Sequence, residues 1–339
     1  MRRLIWAGVI VIGLALAAVV YLWPRPQNHS LVLYCALDYC VDVAHAYTRA
    51  SGIPVEVVRL STGPMLARIT AEGHNPHWNL AWFDGSEAAE GLAKAGLAAK
   101  GLSLPVHWNK LGQQELSPDG AYIPTGLTLA GVFVVPRSFA AGPTLTWKDL
   151  LKPELHGRFG MNNPAISGPA LPVLAGLLTQ GGGWPAGQGF VEALQHNGMH
   201  VYAKNNVTLT ALKNGEIEIA IVQSSAAYYW QRHDPGLRVI LPKPAFDLPS
   251  IMVESAALDA QQRAAAEIFM GFVLSATGNR LRVNQGSADS LYWPLIQSAQ
   301  PNPLLPDIHP LTVQHLDPVY WGGLDRRLSP WFSKVMGLN

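Results

Sequence analysis

The sequence predicts an α/β protein of two lobes that follow an N-terminal signal or anchor helix. Three observations support this prediction: the chain length, an alternation of strand and helix patterns, and an apolar run at the start. The 339 residues are 49% hydrophobic and 14% charged, enough for two cores at roughly 150 residues per domain. Because 24 basic and 23 acidic side chains nearly cancel, the composition supplies no electrostatic field for nucleic acid or an anionic membrane surface.

Residues 1–26 form a segment that predicts export. Arg2 and Arg3 precede an almost unbroken apolar run over residues 4–23, about the length that a helix needs to cross a bilayer. Small residues at 15 and 17 offer a cleavage site, but the run continues beyond them, so cleavage and retention as an anchor are both open. The two cations favour a cytoplasmic N-terminus. We therefore expect the body to be periplasmic, secreted, or anchored to the inner membrane facing the periplasm.

The first predicted lobe comprises residues 30–130 and 246–300. Strand patterns alternate with helix patterns, which is typical of a mainly parallel sheet covered by helices. The strand patterns cover 30–35, 53–58 and 79–83, and the helix patterns cover 41–50, 65–72 and 87–94. Ligands of such sheets bind beyond the carboxyl ends of the strands. The polar residues that follow these ends are Asp38, Ser61, Thr62 and Asp84.

The second predicted lobe comprises residues 131–245, where the alternation restarts. Its strand patterns end before another set of polar residues, so it presents its own binding loops. These candidate ligand contacts are Ser167, Gly168, Asn205, Gln223, Ser224 and Ser225. Apolar extended stretches over 126–135 and 244–253 are suited to cross between the lobes. We expect residues 301–339 to pack on the lobes as a C-terminal helical segment.

Cys35 and Cys40 are the two cysteines of the chain. In an oxidising compartment they form a disulfide if their Cβ atoms approach to about 4 Å, so the bridged and free states are both open. The sequence has no second cysteine pair at zinc spacing and no GxSxG, HExxH or P-loop motif, and its eleven histidines are scattered. It therefore predicts a binding protein without a cofactor rather than an enzyme.

Six segments carry a resemblance to a known family. They are LVLYCALD (31–38), ASGIPVEVVRLSTGPMLARITAEG (50–73), WNLAWFDG (78–85), WKDLLKPELHGRFGMNNPAISGPA (147–170), VYAKNNVTLTALKNGEIEIAIVQSSAAYYW (201–230) and AAAEIFMGFVLSATGNRLR (264–282). In order and spacing they resemble the ferric-ion-binding and phosphonate-type periplasmic solute-binding proteins of ABC importers. The resemblance implies a type II periplasmic-binding fold that captures a small-molecule ligand between its lobes. It also implies an ABC permease of the inner membrane as partner, and we expect a monomer.

The resemblance also implies site residues, with departures. The family has histidine where Asp38 stands and glutamate where Asp84 stands, and its anion seat corresponds to Ser167, Gly168 and Asn205. Its tyrosine pair falls on Ser225 and Ala226, while Tyr228 and Tyr229 lie three residues later, about one helical turn. Tyr228 is therefore a candidate ligand contact, and both tyrosines are candidate metal ligands if the solute is ferric ion. Packing of these aromatic rings in the core is the favoured interpretation.

The candidate residues suit a solute with an oxyanion, since serine and asparagine donors follow strand ends near helix starts. Asp38 and Asp84 are acceptors for an amine or, alternatively, N-caps of the helices after them. We therefore expect a small polar or anionic solute such as a phosphonate or phosphate ester with an amine. The alternatives are ferric ion with a synergistic anion, and a membrane-anchored sensor or accessory module of the same fold.

Overall fold

The computed structural model describes residues 30–140, 145–309 and 311–338. The predicted N-terminal signal or anchor helix lies outside these ranges. Within them, none of the helices combines the length and the apolar character needed to span a membrane.

The described residues form eleven strands and twelve α-helices. The strands are β1 (Leu31–Cys35), β2 (Val55–Arg59), β3 (Leu80–Asp84), β4 (Ile123–Ala130), β5 (Val132–Pro136), β6 (Phe159–Asn162), β7 (His200–Tyr202), β8 (Ile219–Val222), β9 (Leu237–Ile240), β10 (Ala245–Glu254) and β11 (Val313–Gln314). The helices are α1 (Cys40–Ser51), α2 (Thr62–Glu72), α3 (Ser86–Lys94), α4 (Lys110–Gln114), α5 (Ala170–Gln180), α6 (Gln188–His196), α7 (Asn205–Lys213), α8 (Ser224–His233), α9 (Ala260–Val273), α10 (Ala276–Val283), α11 (Pro318–Gly322) and α12 (Asp325–Met336). The helix pattern near residue 147 is realised as a 3₁₀ turn, Lys148–Leu151.

The strands form two sheets. The first has the order β11-β10-β3-β1-β2, with β4 paired to β10, and the second has the order β7-β6-β8-β5-β9. In the first sheet β1 is parallel to β2 and β3, and in the second β6 is parallel to β7 and β8. The loops that follow the carboxyl ends of these parallel strands line the candidate functional site, as expected for open α/β sheets.

Both sheets are covered by helices on both faces. In the first sheet, alternate residues of β1 face opposite cores: Leu33 and Cys35 pack with α1 and α9, whereas Tyr34 packs with α2 and α3. The second sheet packs against α5 and α6 on one face and against α7 and α8 on the other. The C-terminal helix α12 buries Leu328 and Phe332 in the core beside α5. Strands covered on both faces explain the near-continuous apolar runs in the sequence.

Two antiparallel strands, β4 and β10, connect the sheets. They pair from Phe246 with Ala130 to Met252 with Ile123, and Phe246 packs in a core of the second sheet while Met252 packs in a core of the first. Gly131 separates β4 from β5 with a φ of 76°, and a Cβ there would lie 2.6 Å from the Trp147 ring. Glycine is required at this crossing, because a side chain would meet both a left-handed backbone and an aromatic ring.

Candidate functional site

A cleft of about 550 Å³ lies between the two sheets and is lined from both of them. The first sheet contributes residues 36–38, 59–62, 84 and 287–289. The second contributes residues 166–169, 204–206, 223, 225, 226, 229 and 230. Nearly all of these residues follow the carboxyl end of a strand. Of the residues predicted from the sequence, Asp38, Ser61, Thr62, Asp84, Ser167, Gly168, Asn205, Gln223 and Ser225 line the cleft.

A larger cavity of about 880 Å³ lies elsewhere, between residues 103–107 and helix α9. Its lining is mostly aliphatic, and its one carboxylate is that of Glu267. We place the candidate site in the smaller cleft, because that cleft gathers charged groups and helix N-termini from both sheets. Recognition of a small polar solute depends on such converging polar groups more than on volume.

Three helices of the second sheet begin at the cleft. Ser167 and Gly168 lead into α5, Lys204 is the N-cap residue of α7, and Gln223 is the N-cap residue of α8. The first N–H groups of a helix have no partner within the helix, and the helix dipole makes that end positive. Three such ends around one cavity make this wall suited to an anion.

A network of amides and hydroxyls holds this wall in place. Asn162 donates from Nδ2 to Asn205 Oδ1 at 2.6 Å and to Ser167 Oγ at 3.3 Å, and it accepts at Oδ1 from Thr208 Oγ1 at 2.6 Å. Asn205 in turn donates to Gln223 Oε1 at 3.4 Å. Asn162 is only 2% exposed. The network fixes the orientation of Ser167 and Asn205. Sequence reasoning missed Asn162 because its partners Asn205 and Thr208 lie 43 and 46 residues away, so no local pattern indicates these contacts.

Ser225 and Ser224 are neighbours with opposite placements. Ser225 lines the cleft, is 1% exposed, and its Oγ has no hydrogen-bond partner among the described residues. Ser224 lies outside the cleft lining, and its Oγ accepts from the Leu129 N–H at 3.0 Å. A buried hydroxyl without a protein partner is uncommon and indicates a place where a ligand can pair. Ser224 instead ties α8 to strand β4.

Asp84 joins the two sheets. Its Oδ1 accepts from Ser250 Oγ at 2.6 Å, and its Oδ2 accepts from Gln223 Nε2 at 3.2 Å. Gln223 Nε2 also donates to Thr128 Oγ1 at 2.9 Å. Burial raises the pKa of Asp84, and the hydrogen bonds from Ser250 and Gln223 oppose this increase. Asp84 does not cap α3, whose N-cap residue is Gly85, so its observed role is to connect β3, β10 and the second sheet.

Asp38 stands at the mouth of the cleft with two partners. Its Oδ1 pairs with Arg59 Nη2 at 3.1 Å, and its backbone N–H donates to Asp289 Oδ2 at 2.7 Å. Burial, together with the charges of Asp38 and Asp84, raises the pKa of Asp289. Asp38 does not cap α1, whose N-cap residue is Tyr39. The three residues Asp38, Arg59 and Asp289 thus form a charged group in the first wall.

The two tyrosines of α8 lie in different surroundings. Tyr229 lines the cleft, with its ring 4.4 Å from that of His233, whereas Tyr228 lies outside the lining and packs on the core beside β8. Burial raises the pKa of Tyr228 to about 12, which disfavours a tyrosinate. The two phenol groups therefore do not converge on one point of the cleft lining.

Sequence reasoning missed four cleft residues with charged or aromatic side chains, Arg59, Lys204, Trp230 and Asp289. Arg59 ends strand β2 and Lys204 precedes Asn205, so a search for cations at strand ends would have found both. Trp230 was assigned to packing, and Asp289 lies in a 3₁₀ turn far along the chain with no local signal. With Asp38 and Asp84, the cleft lining contains three carboxylates and two permanent cations.

Cys35 and Cys40 form a disulfide bond, which answers the question that the sequence left open. Both cysteines are buried. The bond connects the end of β1 to the start of α1 and so encloses the loop that carries Asp38.

Comparisons with known proteins agree with this architecture. A family model of bacterial extracellular solute-binding proteins matches residues 38–286. The fold is similar to that of the periplasmic binding protein AfuA from Actinobacillus pleuropneumoniae, solved with exogenous fructose-6-phosphate, at 18% identity and a TM-score of 0.75, over 91% of this chain and 99% of AfuA. It is also similar to iron-bound HitA from Pseudomonas aeruginosa, at 20% identity and a TM-score of 0.73, over 89% of this chain and 99% of HitA.

A periplasmic thiamin-binding protein is similar as well, at 17% identity and a TM-score of 0.70, over 92% of this chain and 98% of that protein. No curated protein sequence matches the chain significantly. At these identities the structural likenesses concern the fold, and they confirm the predicted type II periplasmic-binding architecture.

Proposed function

Because the chain belongs to the bacterial extracellular solute-binding protein family, we propose that it is the substrate-binding component of an ABC importer. It captures a small oxyanion-bearing solute in the cleft between its sheets and delivers it to a permease of the inner membrane. The preferred solutes are phosphonates and phosphate esters, including those that carry an amine. Capture requires no covalent chemistry, because contacts from both lobes stabilise the closed conformation over the open one.

The unpartnered hydroxyl of Ser225 is the observation that carries this proposal. It lies in the first turn of α8, where the backbone N–H groups also lack partners within the helix. A phosphate or phosphonate oxygen placed there accepts from the hydroxyl and from the N–H groups at the same time. The starts of α5 and α7 supply further donors around the same cavity.

The charged residues of the first wall favour a solute that carries an amine. Lys204 of the second wall provides positive charge for the oxyanion, while Asp38 and Asp289 of the first wall, beside Arg59, provide acceptors for an amine. Asp38 is 53% exposed, and among the described residues its side chain pairs with Arg59 alone, so it can exchange partners. A solute with a positive and a negative end would meet complementary groups at the two walls.

Direct contacts between the lobes support capture by closure. The Gly63 N–H at the start of α2 donates to the Ile166 carbonyl oxygen at 3.2 Å, across the cleft. The Gln223 amide reaches Asp84 from the other lobe, as described above. The Gln223–Asp84 contact lies beside strands β4 and β10, so rotation about those strands can break and remake it.

The neighbouring structures carry different ligands, with fructose-6-phosphate in AfuA and iron in HitA. Our proposal of an oxyanion therefore rests on the donors of this cleft. Ferric ion with a synergistic anion is the alternative, and of the two tyrosines only Tyr229 is placed to contribute. A sensor or accessory module of the same fold would bind the same solutes without delivering them to a permease.

A thermal-shift screen tests the proposal. The panel contains aminoalkylphosphonates, phosphate monoesters, their amine-free analogues, inorganic phosphate and ferric citrate. A ligand present at a hundredfold excess over its Kd stabilises the folded protein by about 2.7 kcal/mol, which raises Tm by several degrees. We expect at least one phosphonate or phosphate ester to do so.

The variant Ser225→Ala then locates the site. Because the Ser225 hydroxyl has no hydrogen-bond partner among the described residues, its removal breaks no hydrogen bond within them. It removes one bond to a charged ligand, worth about 1.5–3 kcal/mol, so affinity should decrease roughly tenfold to a hundredfold. Ser103→Ala, at an exposed serine outside the cleft, is the control and should bind like the parent. Parental affinity in Ser225→Ala would contradict the oxyanion site, and a ferric citrate response lost in Tyr229→Phe would favour iron.

A further inference from the structure

A second cluster of ligating side chains lies outside the cleft. Glu115 follows α4, Asp247 belongs to the crossing strand β10, and His315 follows β11. One potential ligand atom from each of these residues lies within 4.8 Å of the other two. Three segments that are far apart in sequence therefore bring one imidazole and two carboxylates to a single point.

The two carboxylates of this cluster are buried. Glu115 is 5% exposed and Asp247 is 4% exposed. Among the described residues, no hydrogen-bond donor contacts the Glu115 carboxylate, although the side chain is directed at His315 and Asp247. A buried carboxylate without hydrogen bonds or a paired cation is costly. Glu115 therefore lacks the partner that its burial requires.

The surrounding charges increase this need. The charged groups that act on Glu115 are Asp247, Glu87 and His315. Glu87 is also buried, and its Oε2 has no hydrogen-bond partner among the described residues. Two further buried acids, Asp247 and Glu87, thus act on Glu115 beside a single histidine.

Asp247 and His315 are already oriented toward each other. Asp247 Oδ2 contacts His315 Nδ1, and Asp247 Oδ1 accepts from the Leu316 N–H at 3.0 Å. The second bond fixes the carboxylate in the manner of the outer hydrogen bonds that hold metal ligands. His315 also lines a surface cavity of about 380 Å³, which supplies a route from solvent.

We propose that Glu115, Asp247 and His315 form a zinc-binding site that is separate from the solute cleft. One imidazole nitrogen and two carboxylate oxygens are common zinc ligands at about 2.0–2.2 Å, and water can complete a four-coordinate ion. Harder ions such as Mg²⁺ prefer sites made only of oxygens. A divalent cation placed here would interact favourably with the ionised carboxylates of Glu115 and Asp247.

Zinc at this position connects the C-terminal segment to the crossing strands. Asp247 is paired with Leu129 of β4, whereas His315 belongs to the chain that leads into α11 and α12. The ion therefore fastens the C-terminal helices to the strands about which the lobes move. Its binding stabilises the folded protein by an amount that increases with the logarithm of the ratio of its concentration to Kd.

Calorimetric titration with ZnCl₂ tests this site. The titration uses the full chain prepared without a histidine tag, treated with EDTA and then dialysed. We expect one zinc ion per chain, and no heat from MgCl₂ at the same concentrations. Zinc affinity should decrease at least tenfold in His315→Gln and in Glu115→Gln. His309→Gln, at an exposed histidine six residues before His315, is the matched control and should bind zinc like the parent.

We expect both test variants to keep the fold. His315 is half-exposed, and glutamine at position 115 has nearly the size of the buried glutamate that it replaces. The absence of zinc binding by the parent overturns the proposal, as does unchanged affinity in both variants. An equal loss in His309→Gln also overturns it, because that result assigns the ion to surface histidines.

Discussion

The two walls of the cleft hold their polar groups in different ways. In the wall of the second sheet, Asn162 fixes Asn205 and Ser167 through buried hydrogen bonds, and the starts of α5, α7 and α8 have fixed directions. In the wall of the first sheet, Asp38 and Arg59 are long or exposed side chains that pair with each other. The comparison indicates that the second wall is organised before the solute arrives, whereas the first adjusts to it.

Asn162→Ala is the strongest test of this difference. It removes three hydrogen bonds from a buried site, so that Asn205, Ser167 and Thr208 each lose one partner. An unsatisfied buried group costs about 1–3 kcal/mol, so the free energy of unfolding should decrease by about 2–4 kcal/mol. Solute affinity should decrease more than in Ser225→Ala, because several donors lose their orientation. Urea denaturation and calorimetry measure the two effects.

Asn284→Ala, at an exposed residue after α10, is the control. It should change neither the free energy of unfolding nor the free energy of solute binding by more than about 0.5 kcal/mol. If Asn162→Ala binds the solute like the parent, the second wall is not organised by this network.

Gly168→Ala tests whether the walls must touch. A Cβ at position 168 would lie 2.5 Å from Thr62 Oγ1 and 2.9 Å from the Asp84 carbonyl oxygen, both on the opposite lobe. The methyl group therefore obstructs closure while each lobe keeps its own core. We expect solute affinity to decrease at least tenfold. We also expect the radius of gyration, measured by small-angle X-ray scattering with saturating solute, to stay above that of the parent.

The matched control is Gly189→Ala on α6, where an added Cβ meets no atom within 4 Å. It should close and bind like the parent. Parental affinity and compactness in Gly168→Ala would show that contact at this point is not part of the closed state.

Asp289→Asn tests the first wall and has the smallest expected effect. Burial and the neighbouring carboxylates raise the pKa of Asp289 to about 8, so the fold favours the protonated acid. The contribution of protonated Asp289 to the free energy of unfolding is fully present below the ordinary aspartate pKa of about 3.9. It is lost as pH rises through the raised pKa. The parent should therefore match the variant near pH 4 and be less stable by at least about 1.4 kcal/mol at pH 8, the equivalent of one pKa unit.

Urea denaturation at pH 4, 6 and 8 measures this trend. Asp42→Asn, at an exposed acid of α1, is the control and should follow the parent at each pH. A difference between Asp289→Asn and the parent that is constant with pH would show that Asp289 does not titrate in the way its burial indicates.

Local patterns predicted much of the fold because they report burial. The predicted strand over 30–35 is Leu31–Cys35, and the helix pattern over 41–50 is Cys40–Ser51. The helix predicted over 65–72 begins three residues earlier, at Thr62. These elements have strong periodicity, and the covering of both sheet faces makes the strands apolar throughout. Element order then placed the binding loops at strand ends, which is why most predicted site residues line the cleft.

The sequence by itself determined the α/β alternation, the polar loops and the strand ends at which they lie. Only the tertiary structure decided which side chains of those loops face the cleft. Ser224 and Ser225 are adjacent but point about 100° apart around α8, so one binds Leu129 and the other lines the cavity. Tertiary structure also brought Asp289 to Asp38 and His315 to Asp247, pairs that are 251 and 68 residues apart. Periodicity describes the surroundings of a residue along one element, whereas contacts between distant loops depend on how the sheets twist and close on each other.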